Sequence, residues 1–331
     1  MPELRKDPVI GRWVIVARER SKRPSDFAVE APPAVEGFCP LCNGNESFTP
    51  SEVLTLYDDS SEAVKGSWEV RVVPNKYPAL VIEGRLNREG VGLYDQMNGI
   101  GAHEVVIETP RHDEVFADFS REKMARVFQA YRERILDLQK DPRFRYIMVF
   151  KNHGKAAGAS LEHSHSQLIA LPILPQMIDA ELAGAKAHYQ NKERCVFCDI
   201  IRQELNSEVR VVCQNDAFVC VAPFASRTPF EMCILPKLHH SAFSSVNDEQ
   251  LLGLAEIFAE SLKRLCGCIA GVPYNFVLHT EPLHSGGLEY YHWHFEIVPK
   301  LTSIAGFEWG SGFYINPLPP EEAVSFLKAV S

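Results

Sequence analysis

His163-Ser164-His165-Ser166-Gln167 and His292-Trp293-His294-Phe295-Glu296 are two versions of one pattern, and the whole chain is organised around them. Each closes a series of features that occurs twice in the same order, and such ordered self-similarity marks an internal duplication. The first series opens with Cys39-Pro40-Leu41-Cys42. It runs through the strand-like VRVVPNKYPAL and EVVIETPRH, which ends at His112, then an amphipathic helix pattern from Ser120 to about Gln139, the β-rich YIMVFKNHG, and HSHSQ. The second opens with Cys195-Val196-Phe197-Cys198. It continues through VRVVCQNDAFVCVAPF and MCILPKLHH around His239, a helix pattern from about Asn247 to Ile269, YNFVLHT, and YHWHFEIVP. Phe116 and Phe243 fall at the same offset after His112 and His239.

Apolar or alternating runs such as VIVAR, LVIEG and YIMVF predict strands in antiparallel meanders. Each half therefore reads as a sheet with one long helix, and the fold class is α+β: tandem duplicated units, antiparallel sheets with flanking helices. The expected organisation is an arm and first strand over 1–38, a first unit over 39–175, a linker helix over 176–194 after the Pro-rich LPILPQ, and a second unit over 195–331. APPAVEG reads as an extended stretch of the arm. The C-terminal FEWGSGFYINPLPPEEAVSFLKAV reads as a loop, a Pro turn and a closing helix with Glu321 and Glu322 at its start.

The 331 residues, 46% hydrophobic and 23% charged, suit a globular protein with a sizeable core. A net charge of −9, from 34 basic and 43 acidic residues, argues against a nucleic-acid groove. No run has the roughly 18 apolar residues of a membrane helix, and MPELRKDP lacks a signal-peptide core, so the expected location is the cytoplasm, with no membrane partner. There, nine cysteines point to metal or burial rather than disulfides.

CxxC spacing lets two thiolates hold one tetrahedral zinc from a tight turn. The recurring histidines complete two sets: Cys39, Cys42, His112 and His163, and Cys195, Cys198, His239 and His292. Four protein ligands leave no open position, so both are expected to be structural. An alternative for the second half is a mixed carboxylate–imidazole site for iron or zinc from Glu181, His279, His292 and His294. Both schemes use His292 and so exclude each other; the thiolate set is preferred.

Residues two apart on a strand share a face, so His163 and His165 lie side by side. With His163 committed to metal, His165 is a free imidazole, held rigidly and nucleophilic near neutral pH. Its attack on an α-phosphorus would give a phosphoramidate. The small loop Asn152-His153-Gly154-Lys155-Ala156-Ala157-Gly158-Ala159-Ser160 can cradle phosphate oxygens, and Gln167, on the same face as His165, offers them an N–H donor.

On these residues the sequence resembles the galactose-1-phosphate uridylyltransferase family of the histidine-triad superfamily, over nearly its whole length. The resemblance implies that His165 becomes uridylylated in a ping-pong cycle, with Gln167 assisting. UDP-glucose would release glucose 1-phosphate and galactose 1-phosphate would collect the UMP. It also implies the zinc set Cys39, Cys42, His112 and His163. It implies nucleotide contacts from Arg20 and Arg23 of the arm motif Arg20-Ser21-Lys22-Arg23-Pro24, from Asn75, and from Asn152, Gly158, Ser160 and Gln167. Phe307 and Glu308 correspond to the hexose-contact region, and a homodimer sharing the arm between subunits is expected. Ser164 and Ser166 replace the family's usual prolines, and Lys76-Tyr77 an Asp-Phe pair. HSHSQ, the second CxxC and GFYINP look more like the ADP-glucose phosphorylase branch, which transfers AMP from ADP-glucose to phosphate. Uridylyl transfer is the leading expectation and ADP-glucose phosphorolysis the alternative. A remoter one is a non-enzymatic, zinc-stabilised nucleotide-binding protein. His294 is not expected to be a second nucleophile, because the bulky, acidic EPLHSGGLEYY stands where the first half has its small loop.

Overall fold

The computed structural model describes residues 1–17, 23–27, 37–57 and 68–330. In chain order the strands and helices are β1 (Glu3–Lys6), β2 (Trp13–Val16), β3 (Leu54–Tyr57), β4 (Trp68–Pro74), β5 (Glu89–Val91), β6 (Tyr94–Gln96), β7 (Ala102–Ile107), α1 (Arg121–Leu138), β8 (Tyr146–His153), β9 (His165–Leu171), α2 (Gln176–Lys192), α3 (Val196–Ser207), β10 (Val211–Gln214), β11 (Phe218–Val221), β12 (Met232–Pro236), α4 (Asp248–Cys268), β13 (Tyr274–His279), β14 (His294–Pro299), α5 (Gly306–Ser311), β15 (Tyr314–Asn316) and α6 (Pro320–Ala329).

The two long helices start where the sequence supplies an N-cap. Ser120 Oγ accepts from Lys123 N at 3.2 Å. Asn247 and Gln250 form a reciprocal capping box, with bonds of 2.8 and 3.0 Å. Both helices close on the expected residues, Gln139 and Ile269.

The two halves share one sheet. Its ten strands run β3-β4-β7-β9-β8 and then, in the mirrored order, β13-β14-β12-β11-β10. Every neighbouring pair is antiparallel, including the junction, where Tyr274 faces His153 and Leu278 faces Val149. Side-chain alternation divides the faces. Phe218 and Cys220 of β11 enter the main core beneath α4, whereas Val219 and Val221 meet α3 and Tyr291 on the other face. Likewise Val70, Val72 and Val106 face α1, while Trp68, Val73 and Ile107 pack around Cys39 and Leu41. The face opposite α1 and α4 is thus roofed by helices over the second half and by the small Cys39 cluster over the first. A three-stranded sheet, β1-β2-β15, joins the chain's two ends. Among the described residues, no helix is long and apolar enough to cross a membrane.

LVIEG does not form the expected strand. Val81 makes one isolated bridge to Ile100, and Val81 and Ile82 are 49% and 44% exposed. The reason is topological: β7, to which this segment leads, already has β4 and β9 on its two edges, so no ladder is left to join.

An aromatic cluster ties the halves together. Phe258 of α4 packs its ring against Phe128 of α1 at 5.3 Å, Phe276 of β13 at 5.2 Å and Phe295 of β14 at 5.3 Å. Truncating it opens a cavity where α1, α4 and the sheet meet. Phe258→Ala is expected to cost about 3–5 kcal/mol, read as a lowered urea midpoint; a midpoint within error of wild type would contradict the account of this shared core.

Candidate active site

The turn after Cys39 is closed by Asn45, whose amide donates to Cys39 O at 2.7 Å, and it aims both thiols at the end of β7 and the start of β9. His112 arrives from the turn after β7 and His163 from just ahead of β9. Nδ1 of His163 lies 3.7 Å from Cys39 Sγ and 3.5 Å from Cys42 Sγ, and Nδ1 of His112 lies 3.5 Å from Cys42 Sγ. A tetrahedral ion with bonds of about 2.3 Å to sulfur and about 2.0 Å to nitrogen has a sulfur–nitrogen edge of about 3.5 Å. The cluster has the dimensions of a closed, four-ligand metal site. The imidazole also has the right tautomer, since His163 Nε2 donates to Thr109 O at 2.8 Å and leaves the Nδ1 lone pair for a metal.

The second half repeats this. Cys198 Sγ lies 3.5 Å from His239 Nδ1 and 3.7 Å from His292 Nδ1, and His292 Nε2 donates to Pro236 O at 2.8 Å. Here the CxxC sits at the N-terminus of α3 rather than in a turn. The expected exclusion between the two second-half schemes does not hold. His292 joins the cysteines, while Glu181, His279 and His294 gather separately with Glu296. The chain order explains it: His292 lies ahead of β14, beside the cysteines at the start of α3, whereas His294 and Glu296 lie on the strand and share its face.

His165 opens β9, is 8% exposed, and lies 2.8 Å through Nδ1 from the carbonyl of His163. A carbonyl only accepts, so Nδ1 carries the hydrogen and Nε2 the lone pair. Burial, followed by the positive charge of Lys151, holds its pKa below that of an ordinary imidazole, which favours this neutral form.

Ser164 and Ser166 point the other way, into a buried polar network. Lys151 Nζ donates to His165 O at 2.9 Å and Ser164 Oγ at 3.1 Å and pairs with Glu108; Ser164 donates to Glu108 at 2.7 Å, and Tyr131 to Ser166 at 2.6 Å. Lys151, Glu108, Ser164, Ser166 and Tyr131 are each at most 5% exposed. Removing one partner from such a buried ion pair leaves an uncompensated charge. The network gives Ser164 and Ser166 buried hydrogen-bond partners, bonds that proline could not make.

The remaining expected residues are placed unevenly. Asn152 lies next to the end of β8, beside the start of β9; its Oδ1 accepts from Asn275 at 2.8 Å, which turns its NH2 toward Gly158. Gly154 and Gly158 take positive φ, +81° and +89°, and Ser160 is exposed at the loop's end. Gln167 and Asn75 meet at His103, a residue the sequence reading missed: His103 Nε2 lies 2.8 Å from Gln167 Oε1 and 3.2 Å from Asn75 Nδ2. Only the register of β7 on β9 brings them together, and no spacing in the sequence announces it. Arg23 opens an exposed 3-10 turn, Pro24–Asp26, and Arg20 lies outside the described residues. Phe307 and Glu308 stand on α5, outside the ten-stranded sheet, where Glu308 accepts from Ala305 N at 3.1 Å.

Comparison with known proteins places this geometry. Residues 1–175 match the profile described as galactose-1-phosphate uridyl transferase, N-terminal domain, and residues 105–328 match a domain of unknown function. The ADP-glucose phosphorylase of Arabidopsis thaliana is 37% identical over 337 residues, covering 100% of this chain and 93% of that protein. The galactose-1-phosphate uridylyltransferase of Thermotoga maritima is 28% identical, covering 99% and 98%. The crystal structure of an Arabidopsis ADP-glucose phosphorylase with bound ADP-glucose superposes with a TM-score of 0.86 at 36% identity, covering 100% of this chain and 99% of that one. The chain belongs to the galactose-1-phosphate uridylyltransferase family, and it is a nucleotidyltransferase.

Two cysteine–histidine clusters of one geometry should hold two ions. Cys195→Ser is expected to lower the metal content measured by elemental analysis by one ion per chain and to leave the His163 site filled; an unchanged content would remove the second cluster as a metal site.

Proposed function

We propose that this protein is an ADP-glucose phosphorylase, transferring an adenylyl group from ADP-glucose to phosphate through a covalent intermediate on His165. The observation that carries the nucleophile is the tautomer: the main-chain carbonyl of His163 leaves the Nε2 lone pair of a buried, rigidly held imidazole free to attack. The choice of nucleotide is supported by the greater likeness to the phosphorylase, 37% identity against 28% for the Thermotoga uridylyltransferase. It reverses the order in which the sequence alone ranks the two activities.

In the first half-reaction, Nε2 attacks the α-phosphorus of ADP-glucose, a P–N bond forms, and the bond to the bridging oxygen breaks. Glucose 1-phosphate leaves and adenylyl-His165 remains. In the second, an oxygen of phosphate attacks the same phosphorus, the P–N bond breaks, and ADP leaves with His165 restored. The Gln167 amide and the backbone of the Asn152–Ser160 loop offer N–H donors to the phosphoryl oxygens, whose charge they stabilise without exchanging protons. Asn75, at the edge of the same patch, takes the nucleoside side. Zinc suits the clusters of Cys39, Cys42, His112 and His163 and of Cys195, Cys198, His239 and His292, where four protein ligands make it a structural clamp on the HxH strands. The proposal includes a homodimer in which the arm bearing Arg20 and Arg23 completes a neighbouring site, and a cytoplasmic location.

Initial rates with ADP-glucose plus phosphate, and with UDP-glucose plus galactose 1-phosphate, test the choice. The adenine pair is expected to give a kcat/KM higher by roughly 100-fold or more, with ADP and glucose 1-phosphate as products. Equal rates, or a preference for the uridine pair, would return the protein to uridylyl transfer.

A further inference from the structure

Gln167 can present either end of its amide to a phosphate, and only the NH2 end helps. The residue that decides is His103. Its Nδ1 accepts from the backbone N–H of Ala79 at 3.0 Å. A backbone amide cannot accept, so Nδ1 carries the lone pair and, in the neutral ring, Nε2 carries the hydrogen. That Nε2 lies 2.8 Å from Gln167 Oε1, so the glutamine oxygen is held toward β7 and its NH2 turns toward the His165 side. The reverse tautomer would set two donors against each other at the 3.0 Å Ala79 contact; the Nε2–H form leaves the Asn75 NH2 as a neighbouring donor at the longer 3.2 Å contact. Asn75 is set by the same loop: the backbone N–H of Tyr77 donates to its Oδ1 at 2.9 Å, which turns its NH2 to within 3.2 Å of His103 Nε2.

We propose that His103 is a positioning residue that fixes the Gln167 amide with its N–H groups toward the phosphoryl group on His165, so that a backbone N–H in the loop after β4 sets the polarity of a phosphate-binding side chain. The inference rests on the nucleotidyl-transfer reading above. The second half supplies the contrast. Val105 pairs with Gln167 and Cys233 with Glu296, so Glu231 stands where the first half has His103. There Arg227 bridges two carboxylates, 2.6 Å from Glu231 and 2.6 Å from Glu296. An acceptor-only carboxylate has replaced the amide donor, and the neutral relay exists in the first half alone.

Two variants and one spectrum test this. His103→Phe keeps a ring and removes both nitrogens; His103→Gln keeps an N–H near the Nε2 position. With ADP-glucose and no acceptor, His103→Phe is expected to slow formation of the covalent adduct, followed by quenched intact mass, by roughly 10–100-fold, while the affinity for ADP-glucose shifts by less than about threefold. His103→Gln should recover most of the rate. Adduct formation at the wild-type rate in His103→Phe, or equal slowing in both variants, would overturn the proposal. Independently of any substrate, long-range ¹H–¹⁵N spectra of the wild-type protein should show His103 as the Nε2–H tautomer, and an Nδ1–H or doubly protonated ring would overturn it too. If the wild-type chain forms no adduct with any sugar nucleotide, nucleotidyl transfer fails, and the tautomer still decides what His103 does.

Discussion

The hydrogen bond from His165 Nδ1 to the main-chain carbonyl of His163 is the constraint on which the site depends. It couples two jobs through one short piece of backbone. His163 gives Nε2–H to Thr109 O and turns Nδ1 to the cysteines; its own carbonyl then sets the tautomer of His165. Among the described residues, neither imidazole has a carboxylate partner; backbone carbonyls orient both. Uncharged backbone acceptors fix the ring without adding negative charge where an anionic substrate must approach. The buried Lys151–Glu108 pair, held within the strand's other face, anchors the same backbone through the carbonyl of His165.

Duplication supplied this scaffold twice, and the two copies diverged through what covers them. Both keep the CxxC-linked histidine, the HxH run and the bond from the second histidine to the carbonyl of the first, 2.8 Å in one half and 3.0 Å in the other. In the second half α3 lies over that face, and His294 is only 3% exposed, packed at 5.1 Å from the Phe197 ring. Glu181 bonds His279 at 2.9 Å, and Glu296 is held by Arg227. The neighbouring positive charges, Arg227 foremost and then His279, hold the Glu296 carboxyl well below its ordinary range against the cost of burial. The second copy thus spends its polar residues on internal pairing, while in the first the half-buried Gln167 keeps its NH2 without a partner among the described residues.

What the sequence made legible follows from how local each signal is. The helix limits at Ser120 and Asn247 were readable because a cap is a contact between residues three apart. The two cysteine–histidine clusters were readable because CxxC spacing and a repeated histidine leave few other uses for those residues. The single ten-stranded sheet was not, since it depends on β8 meeting β13 across more than a hundred residues of chain. His103, Glu296 beside Glu181, and the Lys151 network likewise arise from register and strand facing, which a sequence pattern with period two cannot align between strands. The serines of HSHSQ look like polar filler in the sequence and are in fact the inward half of the strand.

The most direct test of the account is the covalent intermediate itself. Incubated with ADP-glucose in the absence of phosphate and then digested, the protein should carry one adenylyl group, mapped by mass spectrometry to His165 and lost in His165→Gly. Turnover of ADP-glucose with no adduct on His165, or an adduct on another residue such as His294, would contradict it.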